Sequence, residues 1–450
     1  MQHKQREGFN SRMGALLAIA GSAIGLGNLW KFPYMVGENG GSIFILFYLI
    51  FVALICLPVM LSELVVGRNT QRNIFGAFKK LAPNTAWRFI GIISITAAFV
   101  ILSFYSVVAG WTLEYIFQSA QNAFKGQTVE QIGQFFTDFS TSTFRPLLWH
   151  FVFMALTAYV VLFGVQRGIE RCSKLLMPLL FLLIVLLAVR SLTLPGAAEG
   201  VQFLFRPDWS KFSTQMLVGA LGQAFFSLSL GMGVMVVYAS YISKKESLVK
   251  TAVQGSLADT VFALIAAVAI VPAVFAFGLA PTQGPGLAFV ALPTVFEKMF
   301  GGVVFAVIFF IIFLLAALTS SISILEVQVA YWVEEFHVKR RKATVLTALA
   351  TAIVGVFCSL SFGVLSGFKI FGKTFFELMD FFATNVLLPI GSLLFVIFAG
   401  WHMSKAVMHR ELSTGTGHKM RSFSLILFFI IRYVAPIAIV LVLLSGFFKM

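Results

Sequence analysis

Charged residues are scarce. Asp, Glu, Lys and Arg make up 11% of this 450-residue chain, against 59% hydrophobic residues. A soluble domain carries about 25% charged residues, so a bilayer must cover most of the exterior. Cysteine is almost missing: Cys56, Cys172 and Cys358 lie in or beside apolar segments without metal-ligand spacing, which suits small buried hydrophobes. The six histidines are scattered, and neither a nucleophile–base spacing nor a phosphate-binding loop occurs, which argues against an enzyme. No cleavable signal peptide is expected, because the polar, basic start MQHKQREGFNSRM meets a long apolar run without a small-residue cleavage site.

Long apolar stretches are abundant, and Phe alone occurs 51 times. Stretches of about 20 residues, enough to cross a bilayer, centre on 14–36, 42–66, 89–118, 147–164, 174–194, 214–242, 250–279, 302–333, 344–362, 375–402 and 423–448. These predict eleven transmembrane helices in one all-α membrane domain. The net charge of +15 could suggest nucleic acid, but the position of the cations argues for topology instead. Of 33 Lys and Arg, 22 fall in the gaps on one side and 10 on the other, with Arg432 inside the last span. By the positive-inside rule the N-terminus is cytoplasmic, and an odd span count puts the C-terminus outside. The two longest connections, 119–146 and 280–300, then lie on the outer side; the second is apolar enough to form a short helix over the mouth of the protein.

Two spans carry helix-breaking residues at mid-depth. The first contains GSAIGLGN (Gly21 to Asn28), followed by Pro33, and the sixth contains SLSLGMG (Ser227 to Gly233). Each glycine lowers helix stability by roughly 1 kcal/mol relative to Ala. In one segment alone, such residues could simply allow close helix packing. Spans one and six are equivalent, however, if spans 1–5 and 6–10 are two repeats, about 13–194 and 213–402, with 423–448 as an extra helix. Matched interruptions are the mark of a carrier's midplane site. Unwound backbone frees carbonyls for a cation and turns half-helix N–H ends toward an anion.

The segments GSAIGLGNLWKFPYMVGENGG (Gly21 to Gly41), AFFSLSLGMG (Ala224 to Gly233), GPGLAFVALPTVF (Gly284 to Phe296) and LLAALTSSISIL (Leu314 to Leu325) resemble the neurotransmitter:sodium symporter family. The resemblance covers nearly the whole chain and is strongest to bacterial eleven-helix amino-acid carriers. It implies an inverted five-helix repeat with broken first and sixth helices, and two sodium ions. One ion would meet the Ala23 carbonyl, the Asn28 side chain, Ser227, Asp259 and the substrate carboxylate. The other would meet the carbonyls of Gly21, Ile24 and Ala316 and the hydroxyls of Thr319 and Ser320. By the same resemblance, the substrate carboxylate meets the N–H groups near Leu26 and Gly27 and the Tyr105 hydroxyl. Carbonyls near Phe226 and Ser229 hold its ammonium, and Ile101, Phe226, Met232, Ser320 and Ile324 line its side-chain pocket. Gly25 stands where the family's monoamine carriers place an Asp, which favours an amino acid. Met232, a flexible thioether where a bacterial member has Phe, widens the pocket for aromatic side chains.

Asp259 sits within the apolar run LADTVFALIAAVAIV, and ionisable residues inside membranes are mostly functional. Animal members of the family use chloride where this fixed carboxylate stands, so chloride-independent transport is expected, with proton uptake at Asp259 when sodium leaves as a corollary. Lys31 and Asp380 match the outer gate pair, with Lys in place of the usual Arg. Arg6 and Glu334 match the inner pair, and Phe9 stands where a plugging Trp is common. Gly168 and Pro178 resemble an element of the fifth span whose unwinding opens a water path to the second sodium. The function implied is sodium-coupled symport of a hydrophobic or aromatic L-amino acid across a bacterial plasma membrane, by a monomer or weak dimer without nucleic-acid partners. A proton-coupled permease on the same scaffold and a non-transporting amino-acid sensor are the alternatives.

Overall fold

The computed structural model describes residues 7–279, 286–415 and 421–448. Among these residues, nine helices are long and apolar enough to cross a membrane: Ser42–Thr70, Ala86–Ala120, Phe144–Leu162, Val165–Leu192, Leu248–Ala276, Gly302–Glu335, Arg340–Leu360, Phe375–His402 and Ser422–Gly446. A bent pair, Arg12–Ala23 and Gly27–Glu38, forms the first span with a 50° change of direction. The sixth is likewise in two pieces, Thr214–Ser227 and Val234–Ala239. With these two, the described residues contain the eleven expected segments, and the interruptions fall in the first and the sixth.

The caps explain where several helices begin. Ser11 accepts from the Gly14 N–H, Ser213 from Met216 and Ser247 from Lys250, each satisfying a donor that an α-helix leaves free in its first turn. The fifth span starts earlier than its apolar run suggests, through a wide π-type turn at Val165–Glu170.

Five other wide turns share one cause. They occur at Gly27–Lys31, Val52–Cys56, Leu287–Ala291, Phe382–Leu387 and Ile430–Val434, and each is followed by a helix whose second residue is proline: Pro33, Pro58, Pro293, Pro389 and Pro436. A proline ring clashes with the carbonyl four residues earlier and offers it no N–H. In every case that earlier residue (Leu29, Leu54, Phe289, Asn385 or Arg432) lies inside the wide turn. The backbone therefore accommodates the proline by widening the turn before it, and the helix continues.

The outer connections form a cover. Residues Leu292–Lys298 make the short helix expected over the mouth. The 119–146 connection holds a second helix, Val129–Thr141, which inspection for apolar runs does not reveal; Thr128 and Gln131 form a reciprocal capping box at its start. Phe289 stacks on Phe136 at 5.7 Å and meets the edges of Trp111 and Tyr115 at 5.5 and 5.1 Å, so both connections rest on the third span.

On the opposite side, Arg68 ends the second span fully buried, although its position suggests a loop cation. Its Nε donates to Glu411 Oε2 at 2.7 Å, on the short helix Lys405–Ser413.

Candidate functional site

The first span stops being helical at Ile24, whose backbone is extended (φ −72°, ψ 105°). The sixth opens over Leu228–Gly233, where Ser229, Gly231 and Gly233 have φ of 53°, 81° and 82°. Glycine takes that left-handed region without penalty, whereas Ser229 is there at a cost. Its hydroxyl is put to use, donating to the Ser22 carbonyl at 2.9 Å across to the other break. The Gly231 peptide is held at both ends: its N–H donates to Glu63 at 2.9 Å, and its carbonyl accepts from Ser94 at 2.8 Å.

A polar cluster fills the space beside the first break. Asn28 Nδ2 donates to Asp259 Oδ1 at 2.8 Å, and Ser227 Oγ donates to Asp259 Oδ2 at 2.7 Å. The Tyr48 hydroxyl lies 3.3 Å from Ser227 Oγ, and the Gly25 N–H donates to Asn28 Oδ1 at 3.2 Å. Asn28 and Asp259 are wholly buried. A buried carboxylate is tolerable only when paired and hydrogen-bonded, and these neighbours are neutral donors that leave its charge uncompensated. Ala23 ends the inner half-helix, whose last carbonyls lack intrahelical partners.

A second cluster lies between the first and eighth spans. Ser320 Oγ is within 3.4, 3.3 and 3.2 Å of the carbonyls of Gly21, Ser22 and Ile24. Thr319 Oγ1 reaches the carbonyls of Leu315 and Ala316 at 3.2 and 3.0 Å, so its hydroxyl also serves its own helix. The structure thus brings Gly21, Ile24, Ala316, Thr319 and Ser320 into one group of hard oxygen atoms, with the Ser22 carbonyl as an addition that sequence reading missed.

Above the first break lies a cavity of about 190 Å³. Leu26, Gly27, Tyr105 and Phe226 line it as expected, and it extends to Lys31 and Asp380. The Leu26 N–H points to the Tyr105 hydroxyl at 3.4 Å. Lys31 Nζ stands 4.3 Å from the centre of the Phe226 ring. Ile101, Met232 and Ile324 are buried in the core rather than on this wall, and Ser320 and Ser229 stand at the breaks. The Phe226 carbonyl accepts from the Ser229 N–H at 3.1 Å. Trp30, Tyr34, Phe104, Val108 and Phe376 are wall residues that the sequence reading missed. Their one signal was spacing: 26, 30 and 34, like 104 and 108, recur at one helical turn.

On the inner side, Glu334 accepts from the Asn73 backbone at 2.7 Å and its side chain at 3.1 Å. Arg6, its expected partner, lies outside the described residues. Phe9 packs edge-on against Tyr238 and Tyr241 at 5.8 and 6.1 Å. Gly168 lies in the wide turn that opens the fifth span and Pro178 within the helix that follows. Residues 7–11 hold that start: the Val165 N–H donates to Glu7 at 3.1 Å, and Glu170 accepts from the Asn10 N–H at 2.7 Å and the Ser11 hydroxyl at 2.9 Å.

The model of the sodium:neurotransmitter symporter family matches residues 6–131 and 123–450. The chain belongs to this family. It is 43% identical to an uncharacterized sodium-dependent transporter of Bacillus subtilis, YhdH, over 97% of this chain and 96% of that one. It is 35% identical to an uncharacterized sodium-dependent transporter of Haemophilus influenzae over 99% of both. Among solved structures, MhsT in complex with L-phenylalanine matches with a TM-score of 0.91 and 44% identity, over 98% of this chain and 100% of that one. The protein is a multi-pass sodium-dependent membrane transporter, and sodium is its coupled cargo; its structural neighbours are transporters rather than enzymes.

Proposed function

We propose that this chain carries a hydrophobic or aromatic L-amino acid together with two sodium ions, by alternating access and without chloride. The observation that carries the reading is the buried carboxylate of Asp259, joined to Asn28 and Ser227 where both broken helices meet. A cation entering between Asn28 and Asp259 neutralises the carboxylate. The Asn28 amide then turns its oxygen inward, and the Ala23 carbonyl, Ser227 and the substrate carboxylate complete the shell. A second ion takes the oxygens of Gly21, Ile24, Ala316, Thr319 and Ser320.

The substrate carboxylate sits at the N-terminal end of the outer half-helix, on the N–H groups near Leu26 and Gly27 and the Tyr105 hydroxyl, where the backbone dipoles favour an anion. Carbonyls near Phe226 and Ser229 face its ammonium. Gly25 leaves the room: a methyl group there would lie 2.5 Å from Ser320 Oγ and 3.1 Å from the Tyr105 hydroxyl. The aromatic wall of the cavity and the L-phenylalanine held by MhsT support an aromatic substrate. Ile101, Met232 and Ile324 form the floor that the side chain reaches when the site closes. Lys31 and Asp380 close the outer side; Arg6, Glu334 and Phe9 close the inner one.

The protein resides in a bacterial plasma membrane, with its N-terminus inside and its C-terminus outside, as a monomer or weak dimer. Two charges moving through about 100 mV yield roughly 4.6 kcal/mol, enough for about a thousandfold accumulation. Uptake of labelled amino acids into proteoliposomes with an imposed sodium gradient tests the reading. Aromatic amino acids should compete best, and replacing chloride by gluconate should leave uptake unchanged. Preference for glycine or alanine would sink the substrate assignment, and strong chloride dependence would end the ion assignment.

A further inference from the structure

Arg432 lies outside the cavity and the two polar clusters described above. It lies in the wide turn Ile430–Val434 of the eleventh span, and among the described residues no carboxylate stands within ion-pair reach of it. Its guanidinium instead lies 5.4 Å from the Trp401 ring and 5.5 Å from the Tyr433 ring, and its Nε is buried without a hydrogen-bond partner. An arginine half-buried on a membrane-exposed surface costs free energy unless it reaches an anion or water.

Its depth is set by its neighbours. A methyl group on Gly400 would lie 2.9 Å from the Arg432 backbone, so the side chain leaves the eleventh span at the level where the tenth ends at His402. His402 in turn lies 6.0 Å from Trp87, beside the start of the third span at Ala86 and on the side that collects most of the Lys and Arg. Trp401 and Tyr433 are about half exposed (49% and 48%), as aromatic residues are at a membrane–water boundary. Past the extended residues Met403 and Ser404, Lys405 is exposed, and its Nζ lies 5.0 Å over Phe428, one turn before Arg432 in the eleventh span. Two cations and two half-exposed aromatic rings therefore share the seam between the tenth and eleventh spans at the headgroup level.

We infer that this seam binds the phosphodiester of an anionic phospholipid, with Arg432 as the main cation, Lys405 as the second, and Trp401 and Tyr433 flanking the first acyl carbons. The charge on the seam selects the ligand. A zwitterionic lipid brings its own cation against Arg432, whereas phosphatidylglycerol brings none. Side chains on a helix lean toward its N-terminus, and for the eleventh span that direction leads to the end that begins at Ser422.

Native mass spectrometry of the whole purified protein in micelles tests this, using phosphatidylglycerol and phosphatidylethanolamine of matched acyl chains. The wild type should retain phosphatidylglycerol about fivefold or more over phosphatidylethanolamine, and Arg432→Gln should remove most of that preference. Lys405→Gln should weaken it, and Arg432→Lys should keep most of it. Should Arg432→Gln fail to fold, the exposed Lys405→Gln and the charge-conserving Arg432→Lys still decide the matter. Equal retention of both lipids by the wild type, or an unchanged preference in Arg432→Gln, would overturn the assignment. Displacement of the lipid by inorganic phosphate at equal concentration, or a dimer that buries the seam and excludes lipid, would overturn it as well.

Discussion

The Asn28 amide donates to Asp259 Oδ1 at 2.8 Å and so joins the broken first span to the unbroken seventh. A side chain carried by an interrupted helix can move with the interruption, whereas one in the middle of Leu248–Ala276 is held by its helix. The carboxylate carried by the continuous helix is therefore the fixed partner of a side chain carried by the break.

Replacing Asp259 by Asn keeps the shape of the side chain and removes its charge. The sodium concentration for half-maximal uptake should rise tenfold or more, a loss of about 1.4 kcal/mol per tenfold. Chloride should then restore part of the activity, since a mobile anion can take the place of the fixed one. Sodium titrations in chloride and in gluconate read both effects; an unchanged titration would count against the first sodium assignment.

The two glycines at the break are tight for different reasons. A methyl group on Gly25 would meet Ser320 Oγ and the Tyr105 hydroxyl, both held in place, while one on Gly27 would meet the edge of the Phe226 ring at 2.9 Å. The ring can turn aside. Gly25→Ala should lower substrate affinity at least tenfold, and Gly27→Ala should do so by only a fewfold, as equilibrium binding of labelled substrate in saturating sodium would reveal.

Much of this site could be read in the sequence because glycines and hydroxyls are conspicuous inside apolar runs. Gly21 to Asn28, Ser227 to Gly233 and Asp259 stand out for that reason, and the structure brings them together. The cavity wall was harder to see. Phe104 and Phe376 look like any of the 51 phenylalanines, and spacing alone does not separate a residue facing a cavity from one facing lipid. The proline-linked wide turns were hidden for a similar reason. A proline announces irregular backbone but not whether the helix will kink, stop or widen. Arg68 and Glu411 are far apart in sequence, so their pairing belongs to the fold alone.

The second oxygen cluster should respond to sodium independently of substrate chemistry. Ser320→Ala removes a hydroxyl within reach of three carbonyls of the first span. Sodium affinity should fall by roughly three- to tenfold, matching the 0.5–1.5 kcal/mol of a typical hydrogen-bonding group. Sodium-dependent binding measured at saturating substrate should carry this change; a loss confined to substrate affinity would speak against the ligand set.

Glu411→Ala is a test of the fold rather than of transport. It strands the Arg68 guanidinium, which is fully buried, away from its carboxylate. Breaking a buried pair by removing one partner costs about 3–5 kcal/mol. Thermal unfolding in detergent should show a clearly lower midpoint, while the protein that remains folded should keep its substrate affinity.

The Ser229 hydroxyl, which crosses to the Ser22 carbonyl, makes each gap in the helical backbone part of the other's wall. Neither gap can open fully while its counterpart stays shut without giving up that bond. The two interruptions therefore stay tied to each other for as long as that bond lasts.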